Sequence, residues 1–229
     1  MDNSLEMNRR QFTAVTCGMC LPGLGWAASS ETDAATGVRT ALERGALAAV
    51  ALLGRPDGFL ANDQVRITLP GALNDAARLL RVAGQGRRLD ELITAMNRAA
   101  EAAVPEARQL FVDTVRSVSV EDALQLVRSR SPTAVTEFFA GKTRAPLSDR
   151  FLPIVTRATE KVKLAERYNS VAGKAASMGL VRADQADVQQ HVTAKALDGL
   201  FFMIGEEEKK IRADPFKTGS AILRKVFGS

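Results

Sequence analysis

Histidine and cysteine, two common metal-binding residue types, are almost missing from this sequence. Its 229 residues include one histidine, His191, and two cysteines, Cys17 and Cys20. A single histidine excludes paired-histidine metal sites and leaves a Ser-His-Asp triad only if His191 is its base. The cysteines form a Cys-Gly-Met-Cys segment without the second pair that a zinc site needs. We therefore expect no metal and no cofactor, and we expect His191 to be a partly exposed surface residue.

Aromatic residues are also scarce, at 5% of the chain, with one tryptophan and one tyrosine. Alanine is abundant. This composition favours helices that pack closely through small side chains over sheets rich in Val, Thr and Tyr. Hydrophobic residues make up 46% and charged residues 25% of the chain, which is typical of a globular domain and not of a disordered segment.

The sequence also lacks a concentrated region of one charge sign. Its formal net charge is +5, but the basic residues are mostly scattered among acidic ones, apart from pairs such as Arg87-Arg88 and Lys209-Lys210. A nucleic-acid-binding protein gathers its basic residues on one face, with aromatic residues beside them for stacking. We therefore expect no nucleic-acid partner.

Motifs for phosphate binding and nucleophilic catalysis are absent as well. Gly84-Gln85-Gly86 lacks the third glycine and the preceding strand of a dinucleotide-binding motif. Gly173-Lys174 is followed by alanine instead of the Ser or Thr of a phosphate-binding loop. The sequence has no Gly-x-Ser-x-Gly segment, the nucleophile elbow of α/β-hydrolases. These absences favour a protein without catalytic activity.

The N-terminus has the layout of an export signal. Arg9 and Arg10, with Phe12 two residues after the second arginine, resemble the twin-arginine motif, and a weakly apolar run follows. Small residues precede a cleavage site between Ala27 and Ala28. The run is too short to span a bilayer, so we expect no transmembrane segment. The alternatives are a general secretory signal and a cytosolic N-terminus; an export signal of either type predicts a periplasmic protein that engages the export machinery.

After the signal, residues 1–27, we expect a polar linker over residues 28–36 and a single domain over residues 37–229. Segments rich in Gly and Pro mark short turns between its helices. Apolar periodicity predicts helices over residues 38–53, 87–103, 132–140, 148–162, 164–178 and 184–212, with others beginning near Pro105 and Ser119 and one at the C-terminus. Alternation in residues 65–69 allows one short extended segment, which cannot form a sheet-based fold. The predicted fold class is all-α.

Several segments of this domain together resemble one bacterial family. They are Pro56-Asp57-Gly58-Phe59, Met96-Asn97-Arg98-Ala99-Ala100-Glu101, Pro105-Glu106-Ala107, Pro153-Ile154-Val155, Lys195-Ala196-Leu197-Asp198-Gly199-Leu200-Phe201, Glu207-Glu208, Ile211-Arg212 and Lys225-Val226-Phe227-Gly228. On these residues the chain, from about residue 41 to residue 228, resembles the bacterial domain-of-unknown-function family numbered 4197. The resemblance implies a helical, exported domain and carries over no activity and no catalytic residues.

Polar residues on the predicted helices supply the candidate site. The candidates are Asn97, Arg98, Glu101, Asp198, Glu207, Glu208 and Arg212. Carboxylates that project into a helical bundle can hold metals. The acidic set for such a site is Glu101, Glu106, Asp198, Glu206, Glu207 and Glu208. Because the sequence lacks the Glu-x-x-His pairs of di-iron bundles, we favour solvated carboxylates and ion pairs such as Glu208 with Arg212. We interpret Asn97 and Arg98 first as structural.

Two functions from different classes remain. The first is non-catalytic binding of an apolar small molecule, a lipid or an envelope protein, which an apolar pocket or groove would support. The second is a carboxylate-based hydrolase or metal-dependent enzyme, which needs at least three of the carboxylates in one cleft with raised pKa values. We favour the first.

Overall fold

The computed structural model describes residues 24–117, 119–180 and 187–228. The predicted export motif of Arg9, Arg10 and Phe12, the two cysteines and the predicted helix start at Asp184 lie outside the described residues. The predicted cleavage site after Ala27 falls in the first turn of the first helix.

The described chain is all-α, as the sequence predicts. Its helices are α1 (Leu24–Leu53), α2 (Gly71–Leu80), α3 (Gly86–Glu106), α4 (Arg108–Arg116), α5 (Val120–Arg128), α6 (Ala134–Lys161), α7 (Leu164–Ser177), α8 (Val188–Ala213) and α9 (Ala221–Phe227). A π-helical turn, Arg81–Gln85, joins α2 to α3, and a 3-10 turn, Pro215–Thr218, joins α8 to α9. Across the described ranges there is no strand, and no helix is long and apolar enough to cross a membrane.

Three long helices, α1, α6 and α8, organise the core. α8 packs against both α1 and α6, and α3 packs against α6 on another side. The close approach of α1 and α8 needs a small residue, since a Cβ at Gly45 would lie 3.1 Å from the Ile204 side chain. The largest fully buried side chains include four of the ten phenylalanines, namely Phe59, Phe111, Phe139 and Phe151.

Residues 28–36, predicted to be a polar linker, belong to α1. The helix runs from Leu24 to Leu53 without interruption. Ala34 and Ala35 are buried, and Asp33 forms an ion pair with Lys225 of α9. The prediction of a linker was wrong because it rested on polarity alone. The segment contains neither proline nor glycine, so nothing in it breaks a helix whose apolar face continues through the alanines.

One helix, α6, replaces the two that were predicted over residues 132–140 and 148–162. It runs from Ala134 to Lys161 and includes Pro146 and Pro153. A proline removes one backbone hydrogen bond from a helix, but tertiary packing of a continuous face can offset that loss. This face consists of buried side chains at four-residue spacing: Phe139, Thr143, Leu147, Phe151 and Val155.

Pro105 lies in the last turn of α3, not in the first turn of the next helix as predicted. The helix ends one residue later and α4 begins at Arg108. The proline ring packs against the end of α1, where a Cβ at Gly54 would lie 2.6 Å from it. α2 is an additional helix that the sequence pattern did not predict, and it begins directly after Pro70.

Candidate functional site

Asn97, on α3, holds the non-helical segment 66–70 in place. Its side chain is fully buried. The Asn97 Oδ1 accepts a hydrogen bond from the Ile67 amide at 2.8 Å, and Nδ2 donates to the Ile67 carbonyl at 2.9 Å. Nδ2 also donates to the Ile93 carbonyl one turn earlier, at 2.8 Å. The side-chain amide therefore supplies the hydrogen bonds that a neighbouring strand would otherwise give to Ile67.

Glu101, one turn further along α3, organises the turn that follows α1. Its carboxylate is 5% exposed, and Oε1 accepts hydrogen bonds from the amides of Phe59 and Leu60, each at 3.1 Å. The Arg98 guanidinium donates to Glu101 Oε2 at 2.6 Å and to Asp57 Oδ1 at 2.8 Å. Hydrogen bonding to Glu101 is the main reason why the pKa of Arg98 is raised above its ordinary value. Both oxygens of this carboxylate therefore have hydrogen-bond donors within the protein.

Glu208, on α8, caps the first turn of α6. Its Oε1 accepts from the Val135 amide at 3.0 Å, and its Oε2 accepts from the amide and the hydroxyl of Thr136 at 2.8 and 2.7 Å. The Arg212 Nε donates to Glu208 Oε1 at 2.8 Å, the ion pair that the four-residue spacing predicts. A helix N-terminus carries unpaired amides and a partial positive charge, so a buried carboxylate is well placed there.

The remaining predicted carboxylates take part in ion pairs on exposed surfaces. Asp198 contacts Arg144 at 2.6 Å and Lys195 at 3.2 Å. Glu206 and Glu207 pair with Lys209 and Lys210, and Glu106 pairs with Arg157 and Lys161. These contacts agree with the interpretation of these four acidic residues as members of ion pairs on helix surfaces.

The seven candidate residues do not form one site. Asn97, Arg98 and Glu101 contact the region between α1 and α2, whereas Glu208 and Arg212 lie at the start of α6. Asp198 is ten residues before Glu208 on α8, about 15 Å along the helix axis. Within the described residues, no group of three or more His, Cys, Asp or Glu side chains could hold a metal, and every buried side-chain polar atom has a hydrogen-bond partner.

His191 is half-buried near the start of α8. Its Nε2 lies 2.9 Å from the Thr68 carbonyl oxygen. Because a carbonyl only accepts, Nε2 is the protonated ring nitrogen. Burial lowers the pKa of His191 below its ordinary value, and the nearby Lys195 acts in the same direction. In this arrangement His191 fastens segment 66–70 to α8, as Asn97 fastens it to α3.

A groove lies between α3 and the junction of α6 with α7. Its volume is about 830 Å³, within the range of small-molecule sites. Five cationic side chains line this α3–α7 groove: Arg87, Arg98, Lys161, Lys163 and Arg167. Asp90 and Glu91 are the acidic lining residues, and Ala95 and Val162 supply apolar surface. The aliphatic stems of the long basic side chains add to that apolar surface.

Lys163 forms the sharp turn between α6 and α7. Its backbone has φ 52 and ψ 43, a left-handed conformation that usually favours glycine. The Lys163 amide donates to the Glu160 carbonyl at 3.0 Å, and the Lys163 carbonyl accepts from the Arg167 amide at 3.2 Å. A lysine in this position places an exposed cation at the edge of the groove at the cost of backbone strain, and such strain often marks functional sites.

The cations of the groove differ in how they are neutralised. Arg87 and Arg167 share Glu91, at 3.4 and 3.3 Å. Arg98 is held by Glu101 and Asp57, as described above. In the part of the chain that the structure describes, Lys163 has no carboxylate within ion-pair distance. The groove therefore retains a positive surplus, with Lys163 as its least compensated charge.

The sequence signal for this groove is weak. Arg87, Glu91, Ala95 and Arg98 recur at three- and four-residue spacing, which places them on one face of α3. Lys161-Val162-Lys163 stands between two predicted helices. Nothing in the sequence pairs the two segments, so the groove emerges only from the packing of α3 against α6 and α7.

A second depression, of about 690 Å³, lies between α1 and the C-terminal end of α8. Its charged lining residues are Arg44, Glu207, Lys210, Asp214 and Lys217. Glu207 pairs with Lys210, and Asp214 pairs with Lys217. Because these charges largely neutralise one another, this depression offers a weaker basis for ligand recognition than the α3–α7 groove.

Comparison with known proteins agrees with the family resemblance. None of the curated proteins and none of the solved structures matches the chain. The family model described as "Protein of unknown function (DUF4197)" matches residues 28–228. This match covers α1 from its second turn through α9, and the chain therefore belongs to the DUF4197 family.

Proposed function

We propose that this protein is an exported, non-catalytic binding protein whose α3–α7 groove takes an amphipathic anion. The observation that carries the proposal is the combination of apolar lining and surplus positive charge in one groove of about 830 Å³. A ligand with a carboxylate or phosphate group and an aliphatic part matches both features. Among the apolar molecules and lipids that the sequence favours as ligands, the groove thus selects those that carry an anionic group.

The charge distribution supports an anion over a neutral ligand. Lys163 presents an exposed ammonium group, and Arg167 is partly neutralised by Glu91 at 3.3 Å. An incoming carboxylate can pair with Lys163 and compete with Glu91 for the Arg167 guanidinium. The Val162 side chain and the lysine stems lie beside these cations, where they can contact an aliphatic chain.

The alternative of a carboxylate-based enzyme receives no comparable support. Glu101 and Glu208 accept hydrogen bonds from backbone amides and arginines. The other acidic candidates are ion-paired and separated along the helices. A metal centre or a general acid–base pair would need several of these side chains to leave their present partners.

Binding of decanoate, measured by isothermal titration calorimetry, tests the proposed groove. We expect decanoate to bind, and decanol and acetate each to bind at least about tenfold more weakly, since each lacks one of the two recognised features. Lys163→Glu should weaken decanoate binding about tenfold or more. Arg150→Glu, an equivalent charge reversal on an exposed part of α6, is the matched control and should leave binding unchanged. Equal binding of decanol and decanoate, or wild-type affinity in Lys163→Glu, would contradict the proposal.

Export to the periplasm is the second part of the proposal. Its support is the order of the basic, weakly apolar and small-residue segments before Ala28. Replacing both Arg9 and Arg10 with lysine preserves the charge and removes the twin-arginine feature. Cell fractionation should then show the chain retained in the cytoplasm. Normal periplasmic accumulation of this variant would instead indicate the general secretory route, and a wild-type protein found in the cytoplasm would overturn the export proposal.

A further inference from the structure

The connection between α2 and α3 forms an exposed tip next to the α3–α7 groove. We define this α2–α3 tip as residues 78–88, which span the end of α2, the π-helical turn and the start of α3. Two aliphatic side chains in it are exposed to solvent, Leu79 at 55% and Val82 at 85%. Exposure of Val82 to this degree leaves its methyl groups without protein contacts to bury them. The tip thus presents apolar surface that the fold itself does not use.

The backbone at the tip is open to solvent. Residues 81–84 are all exposed. Gly84 has φ 78, which turns the chain from the π-helical segment into α3, and a Cβ at this position would meet no atom within 4 Å. A side chain at Gly84 would therefore extend into open space. The tip can therefore approach a surface closely.

Positive charge surrounds the exposed aliphatic residues. Residues 76–89 contain four arginines and no acidic residue. Arg81 is paired with Asp90 at 2.6 Å and Arg87 with Glu91 at 3.4 Å. Across the described ranges, Arg78 and Arg88 have no carboxylate partner, and both are exposed. The tip thus keeps two uncompensated cations, one on each side of Val82 along the chain.

We propose that the α2–α3 tip docks on an anionic lipid surface and brings the mouth of the groove to it. Exposed aliphatic residues flanked by arginines fit the boundary between lipid headgroups and acyl chains. Arg78 and Val82 are four residues apart on a helical segment, so one face offers both a cation and an apolar side chain. The tip contains no aromatic residue, which favours lipid over single-stranded nucleic acid, where bases stack on aromatic rings.

Docking of the tip also bears on the ligand of the groove, and this step rests on the proposed function. Gly86 and Arg87 belong to the tip and also line the groove. A tip seated among headgroups would place this end of the groove at the membrane surface. The amphipathic anion is then identified as an anionic lipid or a fatty acid that enters the groove from the bilayer.

Co-sedimentation with lipid vesicles tests the docking. The protein purified from its host is mixed with vesicles of phosphatidylcholine alone or of phosphatidylcholine with an equal amount of phosphatidylglycerol. We expect at least about tenfold stronger partitioning to the anionic vesicles, and we expect added salt to weaken it. Equal partitioning to both vesicle types, or none to either, would overturn the proposal.

Two double variants locate the contact within the protein. Leu79→Ser with Val82→Ser removes the apolar part, and Arg78→Gln with Arg88→Gln removes the free cations. Each should reduce partitioning about tenfold, because both interactions contribute to interfacial binding. All four side chains are exposed, so circular dichroism and thermal unfolding should match the wild type. The control is Arg150→Gln on α6, which should partition normally. Wild-type partitioning of both double variants would overturn the assignment to the tip.

Two cross-tests separate this inference from the proposed groove. Lys163→Glu should lose decanoate binding in solution yet still partition to anionic vesicles, whereas the Leu79→Ser and Val82→Ser variant should do the reverse. If vesicle binding fails while decanoate binding holds, only the docking surface is wrong. If vesicle partitioning is insensitive to the Leu79 and Val82 substitutions and heparin competes it away, the tip recognises polyanions through charge alone, and the lipid assignment is overturned.

Discussion

The carboxylate of Glu208 lies 2.8 Å from the backbone amide of Thr136, which precedes it by 72 residues in the chain. The same carboxylate accepts hydrogen bonds from the Val135 amide and the Thr136 hydroxyl. A side chain of α8 therefore pairs the polar groups in the first turn of α6. The buried glutamate is therefore part of the architecture of α6 and not an available acid.

Glu208→Ala is expected to destabilise the protein strongly. It would leave two buried amides, the Thr136 hydroxyl and the Arg212 Nε without their acceptor. We expect a loss of about 3–5 kcal/mol in the free energy of unfolding. Urea denaturation followed by circular dichroism measures this change. Glu207→Ala, at the adjacent position, removes only a surface pair with Lys210 and should cost less than about 1 kcal/mol. Similar costs for the two variants would show that the cap contributes little.

Asn97→Ala is expected to lower the free energy of unfolding by about 3 kcal/mol. The substitution leaves the amide and carbonyl of Ile67 buried and unpaired, and each such group carries a desolvation penalty. The same denaturation measurement applies. Thr94→Ala, an exposed position on the same helix, serves as the control and should change stability by less than about 0.5 kcal/mol. An effect of that small size at Asn97 would contradict the structural role assigned to it.

Lys163→Gly is expected to raise stability and weaken ligand binding together. Glycine adopts the left-handed conformation without the steric cost of a side chain, so the free energy of unfolding should rise by about 0.5–1 kcal/mol. The same change removes the uncompensated cation of the groove and should weaken decanoate binding. Lys163→Ala separates the two effects, because alanine loses the charge and keeps the backbone strain. Its binding should fall as in the glycine variant, without any gain in stability.

The stability of the protein should depend on pH through His191. Burial lowers the pKa of His191 in the folded protein below its ordinary value of about 6.5. The Thr68 carbonyl and Asp198 act to raise the pKa, and Lys195 acts to lower it. The unfolded chain then takes up a proton at a higher pH than the folded protein does. The free energy of unfolding should consequently fall as the pH decreases from about 6.5 toward the folded-state pKa.

Urea midpoints measured between about pH 7.5 and pH 5 test this dependence. His191→Gln should give a shallower decline over this window, because the variant has no imidazole to protonate. Asp90 and Asp214 have a pKa lowered from 3.8 by Arg81 and Lys217, respectively. Their contributions would be lost only in a more acidic window. An identical pH profile for wild type and His191→Gln would show that the histidine is not the titrating group.

Apolar periodicity and turn residues predicted the all-α class and the cores of most helices. Leu89, Leu92 and Met96 recur at three- and four-residue spacing in the helix predicted over residues 87–103, and all three are fully buried. Local signals failed where tertiary contacts decide the outcome. Pro146 lies in the break predicted between residues 140 and 148, yet the buried face from Phe139 to Val155 keeps α6 continuous.

For the candidate site too, the sequence predicts contacts within one helix but not contacts between helices. Glu208 with Arg212 follows from four-residue spacing on one helix, but its role as a cap for α6 requires knowing which helix start lies opposite. The α3–α7 groove could not be predicted either, because Lys163 and Arg98 are far apart in the chain and the sequence contains no motif that joins them. Spacing within a helix is readable from sequence, and proximity between helices is not.

The contact of α9 with α1 joins the two ends of the described chain. Asp33 pairs with Lys225, and Gly37 fits so closely against Val226 that a Cβ there would lie 2.7 Å from that side chain. Synthesis proceeds from the N-terminus, so the first helix leaves the ribosome long before the residues that complete its packing. A chain that stops before residue 221 would lack this contact altogether, so the packing of the first helix is completed only after α9 has been synthesised.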